Sequence, residues 1–172
     1  MFLATRKKIG RTAIAHAVSL RPIHVAWGIG QTTWGESTDY EPIMESIIEN
    51  GLYAEVGRRT PTVVGFVEPD PDGDIIIPVS ETETAYYKRV DDPTPYLYVK
   101  AAFEYNEASD AVIREIAVCT ETVLVDGLPP GQRYFTPDQV VSKGYALAAL
   151  AFQPPQNRVP YIRPTYHFVI PF

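Results

Sequence analysis

Proline sets the first limit on this chain. Sixteen of its 172 residues are proline, close to twice the usual share of roughly 5%. Each one fixes φ and removes a backbone donor, so neither a long helix nor the centre of a wide sheet can hold many of them. Only 11 glycines accompany them. The pairing implies many loops and strand ends, and it excludes a helical bundle, a coiled coil and a fibrous repeat. Apolar residues make up 45% and charged residues 21%, enough to build one core and too little charge for global disorder. The length fits a single domain spanning 1–172.

Charge narrows the function classes. The formal balance is −6, which leaves no net attraction for a polyanion and excludes a nucleic-acid partner. One cysteine, Cys119, cannot staple the chain, so the small disulfide-rich secreted class is excluded. The first residues carry Arg6, Lys7 and Lys8 after their apolar ones, the reverse of a secretory leader. No apolar run approaches the roughly 18 residues of a membrane span. These features predict a protein made in the cytoplasm and not inserted in a membrane.

The fold class read from the pattern is α+β and mainly β: an antiparallel β-sandwich or curled sheet with an N-terminal helix. Thr5 serves as N-cap for a helix over about 5–20, with Ile9, Ala13, Ile14, Ala17 and Val18 at helical spacing, and Pro22 stops it. Residues 21–60 read as mixed loop and short helix: Val25–Trp34 is a short strand running into a loop that carries two tryptophans, and a short helix follows at Glu41–Asn50, its apolar side formed by Met44, Ile47 and Ile48. The β region spans 61–172. There Thr62–Val67 and Ile75–Val79 flank a proline- and aspartate-rich turn, which predicts a hairpin, and Tyr96–Tyr105 with Ala111–Thr120 predicts a second. Tyr145–Phe152 and Pro160–Phe172 are the last strands, separated by a loop at Pro154–Asn157.

No motif carries catalysis. Asp70, Asp72 and Asp74 mimic part of a calcium loop, but the remaining ligand positions are missing and a plain turn explains them better. Gly28 and Gly30 lack the third glycine of a phosphate-binding loop. His16, His24 and His167 have no metal-ligand spacing and read as partly buried, hydrogen-bonded side chains. No cofactor and no metal is expected. Trp27 and Trp34 are candidates for core packing or for an interface. Arg114 and Glu115 are adjacent in a strand, so one of them points inward and needs a partner, for which Arg58 or Arg59 is the expected choice for Glu115.

Four segments in order carry a resemblance. After Thr5 and Gly10-Arg11 come Ala26, Gly28 and Gly30, then Leu52, Glu55 and Arg58, then Ile113, Arg114, Glu115 and Ile116. In that order they resemble the N-terminal domain of phage tail-collar and tail-fibre proteins over roughly the first 120 residues. Ala117 stands where that family usually has glycine, and residues 1–172 contain no fibre shaft. The resemblance implies a non-enzymatic structural component of a phage tail, at the baseplate and its junction with the tail fibres. Its partners would be other tail or baseplate proteins and the fibre, and its place the virion, after synthesis in the host cytoplasm and release by lysis. A carbohydrate-binding β-sandwich is the alternative, motivated by 11 tyrosines and two tryptophans.

At the C-terminus, period-two alternation puts Tyr166, Phe168 and Ile170 on one buried face. An exposed apolar strand there would invite aggregation, so it is expected to pair within the domain, with Pro164 and Pro171 at its ends. Phe172 joins Tyr166 and Phe168 as an interface candidate.

Overall fold

The computed structural model describes residues 7–34, 51–80 and 82–172. The expected N-cap Thr5 and the expected short helix at Glu41–Asn50 lie outside these residues. In chain order the elements are α1 (Lys8–Ser19), β1 (Ile23–Gly28), β2 (Glu55–Arg59), β3 (Val63–Pro69), β4 (Ile75–Pro78), β5 (Thr84–Val90), β6 (Tyr96–Ala102), β7 (Val112–Thr120), β8 (Val123–Leu124), β9 (Tyr134–Phe135), β10 (Val140–Ser142), β11 (Tyr145–Asn157) and β12 (Thr165–Pro171). The protein is thus mainly β with one N-terminal helix, and strands β1 to β11 pair antiparallel.

Two compact units divide the chain. One takes the residues up to Arg21, then Thr62–Lys100 and Tyr166–Phe172; the other takes Pro22–Pro61 and Ala101–Thr165. The first unit holds α1 and a five-stranded sheet in the order β12-β6-β3-β5-β4. Here the expected hairpin of Thr62–Val67 with Ile75–Val79 is corrected. Strand β5 lies between β3 and β4, pairing Phe66 with Val90 on one side and Ile75 with Tyr87 on the other. The turn at 70–74 therefore spans a neighbouring strand. Asp70 shapes it by accepting the Asp72 N–H at 2.9 Å, and its carboxylate also meets Lys88 Nζ at 2.9 Å. On one sheet face Val67, Ile75 and Tyr98 form a buried cluster, with Val63, Ile77, Tyr87, Tyr96 and Val169 packed against it.

Strand β12 pairs within the unit beside β6, as expected, and the Phe172 N–H closes it onto Pro95 O at 2.9 Å. Ile170 is buried, with Tyr166 and Phe168 half-buried on the same side by alternation. Helix α1 behaves differently from a core helix. Only Ala15 is buried, while Ile9 is 85% exposed and Leu20 74%. At 100° per residue Ile9, Ala13, Ala17 and Leu20 share the face opposite Ala15.

The second unit holds the other five-stranded sheet, in the order β11-β7-β1-β2-β9, and the small pair β10-β8. The expected hairpin of Tyr96–Tyr105 with Ala111–Thr120 is also corrected: β6 and β7 belong to different sheets. The chain leaves β6 at Ala102, and Phe103 donates its N–H to Pro164 O at 3.0 Å instead of continuing the ladder. Pro154 and Pro155 sit inside β11, not in a loop after it. The register with β7 breaks between Ala151 and Gln156, which frees those prolines from donating to the ladder. β1 is buried along its whole length, because β7 and β2 flank it and both of its faces are covered.

Candidate functional site

The segments singled out by the sequence meet in the second unit. Gly28 pairs with Glu115 across one edge of β1 and with Glu55 across the other. Glu115 is fully buried. Its carboxylate accepts the N–H groups of Ala54 at 2.8 Å, Tyr53 at 2.9 Å and Gly30 at 3.3 Å. A Cβ at Gly28 would collide with that carboxylate and with Ala54 O, so glycine is required there by close approach. Of the adjacent pair, Glu115 points inward as the alternation demands. The expected partner is corrected: backbone donors, not Arg58 or Arg59, satisfy it, since three N–H groups in fixed positions need no cation. Arg114 lies on the other face, half-buried, donating to Ile29 O at 3.1 Å.

Arg58 has its own carboxylate three residues away. Its Nε and Nη2 meet Glu55 Oε1 and Oε2 at 2.7 and 2.9 Å, and Nη1 donates to Lys143 O at 2.9 Å. Both side chains are all but sealed, at 1% and 2% exposure. The bulge at Trp27/Gly28 in the β1–β2 register accompanies this arrangement. Beside it a cavity of about 340 Å3 is lined by Leu52, Glu55, Arg58, Ala117 and Cys119. Burial pushes the Cys119 thiol up to about 11, so it stays protonated and unreactive at neutral pH. His24 is buried against Phe135, with ring centroids 5.6 Å apart. Burial, reinforced by the Arg58 charge, lowers its pKa to about 4. Among the described residues its Nδ1 has no hydrogen-bond partner, so at that nitrogen the ring departs from the expected hydrogen bonding.

Arg59 faces another set of groups. It pairs with Glu107 and, at 3.3 Å, with Glu104, while Arg163 reaches Glu104 at 2.6 Å. Arg158 donates from Nη2 to the carbonyls of Glu104 at 2.8 Å and Glu107 at 3.2 Å, which fixes the loop after Phe103. Glu104, Glu107 and Arg158 were absent from the sequence reading. The run Asn106–Asp110 looked like a polar break, and its one signal was that a buried arginine at 59 needs a carboxylate. Burial raises the Glu107 pKa.

Both tryptophans are interior. Trp27 is fully buried, stacked on Phe103 at 3.6 Å between ring centroids, with Nε1 donating to Tyr134 Oη at 3.3 Å and Arg158 over its ring. Trp34 packs in the cluster of Ala26, Leu52, Ala117, Cys119 and Ala151. Ala117 stands there between its cross-strand partners Ala26 and Ala149. Tyr166, Phe168 and Phe172 are half-buried in the first unit.

The arrangement is therefore a buried polar framework, with apolar side chains left in solvent on α1. Residues 3–172 match the family described as baseplate wedge 3 tail fiber network component. The chain belongs to that family, a structural component of the phage baseplate, and its place is the virion tail. No curated protein matches it.

Proposed function

We propose that this protein is a non-enzymatic adaptor that joins the baseplate wedge to the tail-fibre network, with α1 as one of its docking elements. The carrying observation is the face of α1 formed by Ile9, Ala13, Ala17 and Leu20, which none of the described residues of the first unit covers. Leaving Ile9 at 85% and Leu20 at 74% exposure is unfavourable in an isolated chain, and burial against a neighbour recovers about 25 cal/mol per Å2 of apolar surface. The charged side chains on the helix and beside it, Lys7, Lys8, Arg11 and Arg21, are all cationic in a chain of net charge −6. That combination fits a neighbour whose apolar groove is bordered by carboxylates. The polar framework of the second unit supports the reading in another way: its charges are consumed internally, so it holds shape and offers no reactive group.

The test is the double variant Ile9→Glu/Leu20→Glu expressed in trans to a phage lacking the gene. The variant should melt like the parent, because both sites are in solvent, yet fail to enter particles. Incorporation at the parental level would remove α1 as a docking element. The sugar-binding alternative predicts instead a specific hit on a glycan array.

A further inference from the structure

The sheet face of the first unit that carries the Val67, Ile75 and Tyr98 cluster holds a second feature, unrelated to the outward face of α1. A cavity of about 430 Å3 opens there, lined by Arg89, Lys100, Tyr98, His167, Asp74 and Ile75. The register explains the convergence. On β3 the residues Val63, Gly65 and Val67 face one way, and their partners on the two flanking strands are Lys100, Tyr98 and Arg89. Gly65 leaves the floor bare, and Arg89 Nη2 leans over it, 3.5 Å from where a Cβ would stand. Tyr98, 4% exposed, fixes the back wall through its hydroxyl, which is 2.8 Å from His167 Nδ1.

Among the described residues the two cations have no ion-pair partner, whereas Lys88, also on β5, meets both Glu68 and Asp70. Asp74 on the rim offsets one of the two charges, which leaves a single positive charge to be matched. Burial and the nearby Lys100 lower the His167 pKa, so the ring adds no further charge at neutral pH. A sugar would need an open aromatic face, but the Tyr98 ring is covered, and the apolar lining of Val63, Ile75 and Ile76 suits an aliphatic neighbour.

We infer that this cavity seats one glutamate or aspartate side chain, flanked by aliphatic residues, from a neighbouring protein of the baseplate or fibre network. This rests on the adaptor reading in naming a protein as the source of the carboxylate. The pocket itself is tested on the purified full chain by following backbone amide NMR signals during titration with three probes: a blocked valine–glutamate–valine tripeptide, its glutamine counterpart, and glucuronate. The glutamate peptide should move the signals of Gly65, Arg89, Tyr98, Lys100 and His167. The glutamine peptide and glucuronate should bind about tenfold more weakly or not at all. The variant Arg89→Gln/Lys100→Gln, which removes charge without adding bulk, should keep the parental melting curve and lose about tenfold in affinity. Arg89→Lys, which keeps the charge, should bind more nearly like the parent. Equal binding by the glutamine peptide or by the double variant overturns the site. Preference for glucuronate overturns the protein source in favour of an acidic sugar. The deletion phenotype of the gene tests the adaptor reading separately, so the two cannot fail unnoticed together.

Discussion

Glu55 and Arg58 are the residues on which the second unit depends most. A buried pair contributes little net stability compared with apolar residues, but removing one partner strands the other charge. Glu55→Ala is expected to cost about 3–5 kcal/mol in urea denaturation, and Glu55→Leu/Arg58→Met should recover most of that loss. A double variant as unstable as the single one would show that the pair is not the unit of stability. His24 gives a pH signature. Its folded pKa, about 4, lies below the ordinary 6.5, so the unfolded chain takes up a proton first as the pH falls. Stability is full above about pH 7 and declines between about 6.5 and 4. The gap is worth at most about 3 kcal/mol, and about 2 after allowing for partial solvent access. His24→Gln should flatten that slope; an unchanged slope would assign it to other groups.

At the scale of elements, β12 shows what an edge strand requires. Ile170 is buried and the Phe172 N–H is bonded to Pro95 O, so deleting Val169–Phe172 uncovers β6. The truncated chain is expected to be insoluble or unable to assemble. A soluble, cooperatively melting truncation that still enters particles would show the strand to be dispensable. This strand was legible in the sequence because alternation and terminal prolines act locally. So were α1, β1 and β7, and so was the inward turn of Glu115. Strand β5 was not. Its pattern of Thr84, Lys88 and Arg89 among tyrosines looks polar, since it carries Lys88 towards Glu68 and Arg89 onto the opposite face. Without β5, β3 and β4 read as a hairpin. The partners of Glu115 and Arg59 were equally hidden, because the donors at Tyr53 and Ala54 and the acceptors at Glu104 and Glu107 come from distant chain segments that only the fold brings together. The outward face of α1 was legible as a stripe; that it faces solvent was not.

For the whole molecule, the chain passes from one unit to the other four times, at 21/22, 61/62, 100/101 and 165/166. Neither unit is a continuous stretch, and β12 completes the first sheet only after the second unit has been traversed. We propose that the chain unfolds as one domain, with far-UV and near-UV melting curves that coincide; two separated transitions would mean two independent units. Membership of the baseplate wedge 3 tail fiber network family gives that folded body its setting, and the adaptor role is the central claim. Its most direct test is electron microscopy of particles made by a phage lacking this gene. The account predicts tails whose baseplates lack attached fibres, with attachment restored when the gene is supplied in trans. Complete tails that keep their fibres without the protein would contradict it.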